Sequence, residues 1–500
     1  MKLIKFILLL GCFLSLENAF AKQALPIQYA NHQCELNNAQ PALTELMDVP
    51  QNSTAHLLLE DPQQAMLYRA WLTDTARKTL DVQYFIFTLD NIGTIALEHL
   101  VRAADNGVKV RLLIDDIMLN VKSDSLKTLQ SHPNISIKVF NPMLKTGKNI
   151  VQQLLGATLA FTKFNKRMHN KTFIQDGQVA ITGGRNIADE YFGYDKDFNF
   201  IDRDILVIGE TANDISQSFE HYWQARESIA VDKLIGAKNY NPEDFESLYH
   251  YSCDPANFAP SVRNRLANMP KQFEQDKANL IYASSQFYYD PPSKNDTSIT
   301  LSGGSHTLDI LSQHFAKAEK EVIIHTPYLI TTKEIRKLIK TTVARGVEVK
   351  ILTNSMLAND NHEAFSGYQR NRKSLLETGA QIFEFKPDPQ IKNQILLDER
   401  WMQLDKPPVF GLHSKTMVID RKHSFIGTYN FDPRSAHLNT ECFVHLDSVE
   451  FAQQLMPHML APLAPENAWQ VTNDFNPDQY ADFKTRVKVL LRRWVPKSIL

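Results

Sequence analysis

The stretch MHNKTFIQDGQVAITGGRNIADEYF, residues 168–192, returns in altered form as LHSKTMVIDRKHSFIGTYNFDPRS, residues 412–435. Each copy spells His, one residue, Lys, four residues, Asp, six residues, Gly, two residues, Asn. The fixed positions are His169, Lys171, Asp176, Gly183 and Asn186, then His413, Lys415, Asp420, Gly427 and Asn430. A lone His-x-Lys is most simply two polar residues on a surface strand. That reading has to account for the same spacing twice in one chain, and there it fails.

The residues around each His-x-Lys have strand composition, and residues two apart on a strand share a face. His169 therefore projects with Lys171, and His413 with Lys415. Asp176-Gly177 is a turn dipeptide, and Val179-Ala180-Ile181 reads as the returning strand. Gly183-Gly184 then frees the backbone for a tight turn that presents Asn186; the second copy has Gly427-Thr428-Tyr429-Asn430. If two such copies face each other, two His, two Lys and two Asn converge. An imidazole nucleophile flanked by cations and amide donors suits a phosphoryl group. The lysines can neutralise the developing charge, so the chemistry calls for no metal and no cofactor. Asp176 and Asp420, at a strand end beside a turn, read as structural groups that bond local backbone.

Working outward, residues 79–87 are rich in strand formers. A helical pattern follows through Leu97, Leu100 and Val101 to Asn106-Gly107, and residues 108–114 read as a second strand. This βαβ order implies a parallel pair. It returns as a strand at 322–325, a helix through Ile335, Leu338 and Ile339 to Arg345-Gly346, and a strand at 347–352. Lys78 answers Lys320, Gly107 answers Gly346 and His169 answers His413, each pair roughly 240 residues apart, which is a duplicated domain and not a solenoid period. The class is α/β in two similar halves. The join falls within 255–300, where five prolines precede the polar run Ser293-Lys294-Asn295-Asp296. The expected division is 1–21, 22–290, 291–480 and 481–500.

The paired motif resembles that of the phospholipase D superfamily, in which two such motifs build one active site. The run LLETGAQIFE at 375–384, the Met-His-Asn-Lys form of the first motif, the length and the basic, Trp-containing tail are most similar to bacterial cardiolipin synthases of the C type. The resemblance implies a duplicated α-β-α sandwich, two similar halves sharing one active site. It implies two-step displacement through a phosphohistidine, with His169 as nucleophile and His413 as acid and then base. Lys171, Lys415, Asn186 and Asn430 would hold the phosphate oxygens. Thr428 offers a hydroxyl where the family often has Ser, and Gly184 at the matching place offers none, so the cradle would be lopsided. Asp204 and Glu441 are the acids expected to orient the two imidazoles. The implied activity is transfer of a phosphatidyl group to phosphatidylglycerol from phosphatidylethanolamine or another phosphatidylglycerol. A secreted phospholipase D that releases phosphatidic acid is the alternative, and a nuclease a more distant one.

The ends of the chain bear on where this happens. Lys2 and Lys5 precede the apolar run 6–16, and Ala19-Phe20-Ala21 gives small residues for cleavage after Ala21, the pattern of an export signal. The apolar run is well short of the roughly 20 residues that span a bilayer. Export permits a disulfide, for which Cys34 and Cys253 are the expected pair; Cys442 sits in an apolar run and reads as an inert core residue. No Cys/His spacing matches a zinc motif. In residues 481–500, basic residues interleave with Phe483, Leu490, Leu491 and Trp494. This suits either a helix lying in a membrane interface or a docked helix with a solvated basic face. A formal net charge of -2 does not suit a protein whose main task is neutralising nucleic-acid phosphates. The expected partner is a phospholipid membrane surface.

Overall fold

The computed structural model describes residues 40–50, 52–116, 123–142, 165–294, 305–394 and 407–500. Its first strands are β1 (Thr54–Leu59), β2 (Thr79–Tyr84), β3 (Lys109–Asp115), β4 (Ile135–Phe140), β5 (Thr172–Gln175), β6 (Val179–Gly183), β7 (Phe198–Ile201), β8 (Asp204–Gly209), β9 (Ser228–Ala230) and β10 (Ile281–Tyr282). The second set is β11 (Ser284–Tyr289), β12 (Glu321–His325), β13 (Glu348–Asn354), β14 (Gln381–Phe385), β15 (Val409–Leu412), β16 (Thr416–Ile419), β17 (His423–Gly427), β18 (Cys442–Asp447) and β19 (Ala468–Val471). One sheet runs β10-β1-β8-β6-β5-β2-β3-β4-β9 and the other β11-β18-β17-β16-β12-β13-β14-β19. Leaving out the edge strand β10, the two orders match strand for strand. The duplication read from the sequence is thus a duplication of topology. The chain crosses from one sheet to the other at Ala283, ahead of the expected division at residue 290.

The parallel trios β2-β3-β4 and β12-β13-β14 are the expected βαβ units. Their first crossovers are the helices Asn91–Asp105 and Lys333–Ala344, started by Asp90 and Thr332, whose side chains accept from the N–H of Gly93 and Ile335. Gly107 and Gly346 follow those helices with φ of +90° and +89°, a left-handed turn that a side chain would strain.

Residue alternation on the strands sorts side chains between separate cores. Phe173 of β5 and Met417 of β16 face the helices of their own half, while Ile174 and Val418 face a shared core. That core also takes Ile205, Val207, Ile426 and Val444 from the sheets. Helices Glu210–Gln224 and Val449–Leu460 complete it with Ile215, Phe219, Phe451 and Leu455. Neither half can withdraw without exposing this apolar face to water, so the two are fixed in register.

The strand expected across each His-x-Lys begins later. The ladders start at Thr172 and Thr416, and the His and Lys residues lie on the segments that lead into them. Asp176 and Asp420 are structural, as expected, but their partners are not local. Each sits at a hairpin turn with φ near +50° (+52° and +53°). The Asp176 carboxylate accepts from the N–H groups of Arg77, Lys78 and Thr79 at 2.9, 2.7 and 2.8 Å. Asp420 does the same for Glu319, Lys320 and Glu321 at 2.9, 2.7 and 3.0 Å. Each motif aspartate therefore ties its hairpin to the start of the neighbouring parallel strand, satisfying donors that precede the ladder.

The C-terminal segment is docked and still shows an apolar face. Arg370, on helix His362–Leu376, donates to the carbonyls of Arg493 and Val495 at 2.8 Å each, and Val489, Val495 and Ile499 are buried. Phe483 is nonetheless 76% exposed and Leu491 64%, with Leu490 and Trp494 also in solvent. No helix among the described residues is long and apolar enough to cross a membrane. Cys442 is free and buried, and Cys253 is disulfide-bonded. Its expected partner Cys34, the expected export signal and the apolar run 154–164 lie outside the described residues.

Candidate active site

The two motifs meet because short backbone pairings lace the halves together. β7 pairs in parallel with β15, setting Ile201 beside Leu412, and the N–H of His413 donates to the Ile201 carbonyl at 2.8 Å. In the related place, Met168 bridges to Thr440, and the N–H of His169 donates to the Thr440 carbonyl at 3.0 Å. The residues that follow these carbonyls are Asp202 and Glu441. Each pairing therefore delivers an acid from one half to the histidine of the other.

His169 Nδ1 lies 2.8 Å from Glu441 Oε2, and His413 Nδ1 lies 2.6 Å from Asp202 Oδ2. All four side chains are buried. With Nδ1 bound to a carboxylate, each ring keeps Nε2 for chemistry. Glu441 is held by Thr428 Oγ1 at 2.5 Å and Ser435 Oγ at 2.7 Å. Among the described residues no hydroxyl bonds Asp202, because Gly184 stands where Thr428 stands in the other motif. A Cβ at Gly184 would lie 2.0 Å from Asp202 Oδ1. Gly184 and Thr428 thus serve the acids and do not form the expected phosphate cradle: the Thr428 hydroxyl proton is already given to Glu441.

The expected role of Asp204 is also corrected. Asp204 is fully buried between Arg69 Nη2 at 2.8 Å and Arg185 Nη1 at 3.3 Å, where it neutralises two interior guanidinium groups. The acid on His413 is Asp202. A signal for this lay in the repeat itself. The separation that carries Gly107 onto Gly346 carries Asp202 onto Glu441, and it carries Asp204 onto Phe443.

Lys171 Nζ donates to the His169 carbonyl at 2.8 Å. Lys415 Nζ donates to the His413 carbonyl and lies over the His413 ring edge, 2.9 Å from Nδ1 and 3.2 Å from Nε2. Asn186 gives one amide hydrogen to the Tyr191 hydroxyl at 2.8 Å and accepts from the Ile86 N–H, so one hydrogen is left for a ligand. The Asn430 amide oxygen is buried with no hydrogen-bond partner among the described residues. Phe85 packs edge-on against His169, while Phe200 and Tyr191 wall His413. The sequence reading did not find these rings or Ser435, which no motif spacing marks.

Burial sets the charges. It pulls Lys171 down to about 7, helped by repulsion from Lys415, and pulls Lys415 down to about 8. Burial likewise holds His169 down to about 4 against the attraction of Glu441. His413 is lowered by burial and by Lys415. Against the penalty of its own burial, Asp202 is held to about 2 by His413 and Lys415. The free protein therefore presents two neutral imidazoles beside two lysines that keep part of their positive charge near neutral pH, which favours an anion and leaves a nucleophilic nitrogen unprotonated.

A domain model described as "Cardiolipin synthase, PLD-like domain" matches residues 72–223 and 311–461. Cardiolipin synthase C of Escherichia coli K12 is 31% identical over 444 residues, which is 87% of this chain and 90% of that protein. An uncharacterized protein of Helicobacter pylori J99 is 32% identical over 82% of this chain and 79% of its own length. The crystal structure of phosphatidylserine synthase from Haemophilus influenzae has the same fold, with a TM-score of 0.59, 13% identity, and coverage of 90% of this chain and 98% of that one. With the motif pair laced into one site and the domain found twice, the chain belongs to the cardiolipin synthase family of phospholipase D-like enzymes.

Proposed function

We propose that this protein forms cardiolipin by transferring a phosphatidyl group, from phosphatidylethanolamine or phosphatidylglycerol, to the free hydroxyl of a phosphatidylglycerol. The observation that carries the reading is the crossed pair of imidazole–carboxylate contacts with two buried lysines beside them. In the first step His169 Nε2 attacks phosphorus and the bond to the donor's head-group oxygen breaks; His413, which takes up a proton from solvent as the phosphodiester anion binds beside it, gives that proton to the oxygen. In the second step the acceptor hydroxyl loses its proton to His413, attacks phosphorus, and the P–N bond breaks. The phosphodiester bond energy is kept on the enzyme, so no nucleotide is consumed. This suits an exported enzyme working at the outer side of the membrane. Water as second acceptor gives phosphatidic acid, the hydrolase reading.

Product analysis separates these. Protein freed of its leader is given liposomes of labelled phosphatidylethanolamine and phosphatidylglycerol without nucleotide, and each lipid is omitted in turn. Cardiolipin that disappears when one lipid is left out names the donor. Phosphatidic acid as sole product sinks the transferase reading, and turnover of DNA in place of lipid sinks both.

The lysines predict an alkaline limb. They hold an anion only when protonated, so kcat/KM, which reports the free enzyme, is expected to decline from about pH 7 upward as Lys171 and then Lys415 lose their protons. A bound phosphodiester raises both, so kcat should persist to higher pH. A kcat/KM flat to pH 10 would show that the lysine charges are not needed.

The C-terminal segment supplies the membrane contact in this proposal. Its docking through Val489, Val495 and Ile499 means that truncation would uncover core, so exposed positions are the cleaner probe. The triple variant Phe483→Ser, Leu491→Ser, Trp494→Ser is expected to weaken sedimentation with anionic liposomes by about tenfold or more, since each lost apolar contact is worth on the order of 1 kcal/mol. Turnover of a short-chain soluble phosphodiester should be unchanged. Equal liposome binding by variant and parent would place the membrane contact elsewhere.

A further inference from the structure

We propose that His314, His423 and His445 form a second site, separate from the active site, that binds one divalent transition-metal ion of the zinc class and clamps the scaffold behind Glu441. His423 opens β17, His445 lies in β18, and His314 lies on the helix His306–Lys317 that covers them. In the β17–β18 register His423 faces Asp447 and Phe425 faces His445, so His423 and His445 are diagonal neighbours on one face of the sheet. His314 reaches the same point from the helix, with its ring centroid 4.4 Å from His445 and 5.4 Å from His423.

The donor atoms are already gathered. One ring nitrogen from each histidine lies within 4.8 Å of the other two, and His423 Nδ1 is 3.2 Å from His445 Nε2. Tetrahedral zinc with Zn–N bonds of about 2.0–2.1 Å needs nitrogens roughly 3.3 Å apart, so one edge is in place and ring rotation closes the others. A single N–H···N bond between His423 and His445 would explain that edge, but not a third imidazole turned to the same point. Phe425 supports the cluster from below, its ring stacked on His445 and edge-on to His314.

The surroundings favour the neutral, ligating form. Burial lowers all three histidines, His314 to about 4 and His445 to about 3, and repulsion from trio neighbours lowers His314 and His445 further. The charged groups that act on the cluster are Lys317, Lys422, Asp447 and, on His423, Asp420. Asp447 Oδ1 is 3.9 Å from His423 Nδ1 and is bonded to Lys422 at 2.9 Å, which makes it the fourth ligand within reach if water does not take that place. The histidines are 109 and 22 residues apart, so no linear zinc spacing reveals them; only the packing of helix on sheet brings them together.

The site has a structural consequence. The same helix begins at Ser305 and His306, and the Thr307 N–H and hydroxyl both donate to Asp290 at 3.0 Å. Asp290 in turn accepts the N–H of Glu441 at 3.1 Å. An ion joining His314 to β17 and β18 pins one end of this helix, while its other end braces the acid that orients His169. The ion is thus expected to stabilise the fold and to leave the displacement chemistry to the histidines and lysines.

The test uses full-length protein without a polyhistidine tag, stripped by chelator and titrated with Zn²⁺ alone against a chromophoric competitor. One ion per chain with a dissociation constant of about 1 µM or tighter and a raised melting temperature is expected. Cobalt should give the visible absorption of a tetrahedral site. His314→Ala, at a half-buried helix position, should weaken binding about 10- to 100-fold and remove the thermal shift while lipid turnover by the metal-free protein stays within about threefold of the parent. His423→Gln should do the same, so a folding defect in either variant leaves the other to decide. His169→Ala should still take up the ion. Uptake that survives His314→Ala but is lost in His169→Ala would place the ion in the active site and overturn the proposal, as would no uptake at all.

Discussion

On the proposed mechanism, His169→Ala protein is expected to lose lipid turnover by at least about 10⁴-fold while folding normally, because the covalent step is assigned to that ring. The fold should survive. His169 lies on the lead-in to β5, and its own partners are Glu441, which keeps Thr428 and Ser435, and the Phe85 ring. The companion His413→Ala separates the two roles. A donor whose leaving group is p-nitrophenol does not need protonation, so His413→Ala should release nitrophenol in a burst. The phosphatidyl group should then stay on His169, because no base remains to activate the acceptor. Mass spectrometry of the trapped protein reads the adduct directly. An adduct on His413 in the His169→Ala protein, with none on His169 in the other, would exchange the assignments. The geometry leans toward His169 as nucleophile. Lys415 Nζ touches the His413 ring directly, whereas it reaches His169 only through longer-range repulsion, and Glu441, with two hydroxyl donors, is the more firmly held acid.

Asp202→Asn is expected to lower kcat by about 10²–10⁴-fold with little change in KM, which would establish that each half's histidine depends on the other half's acid. The Asp202 carboxylate accepts the Nδ1 proton of His413, fixes the tautomer that leaves Nε2 free, and stabilises the imidazolium formed when His413 takes up a proton. An amide offers no charge and can present its NH₂ to Nδ1, which selects the wrong tautomer. Gly184→Ala should reproduce much of the loss without touching either catalytic ring, because the new methyl occupies the space of Asp202 Oδ1. Asp204→Asn supplies the contrast. It should chiefly lower thermal stability, since it uncovers the buried charges of Arg69 and Arg185. If Asp204→Asn lost activity at full stability and Asp202→Asn did not, the orienting role would return to Asp204.

The sequence by itself determined the duplicated α/β halves and the structural character of Asp176 and Asp420. These are local statements. Alternation along a strand, a glycine that ends a helix and a repeated spacing follow from backbone geometry within a few residues, and an internal repeat lets each be checked against its copy. Only the tertiary structure decided which acid meets which imidazole, that Thr428 and Gly184 attend the carboxylates, that the basic tail is docked with its apolar residues still outward, and that three distant histidines share one point. Asp202 and Asp204 are two residues apart on one extended segment, and their types are identical. What separates them is the β7–β15 pairing and the Met168–Thr440 bridge between halves, contacts across more than 200 residues of chain that a local pattern does not encode.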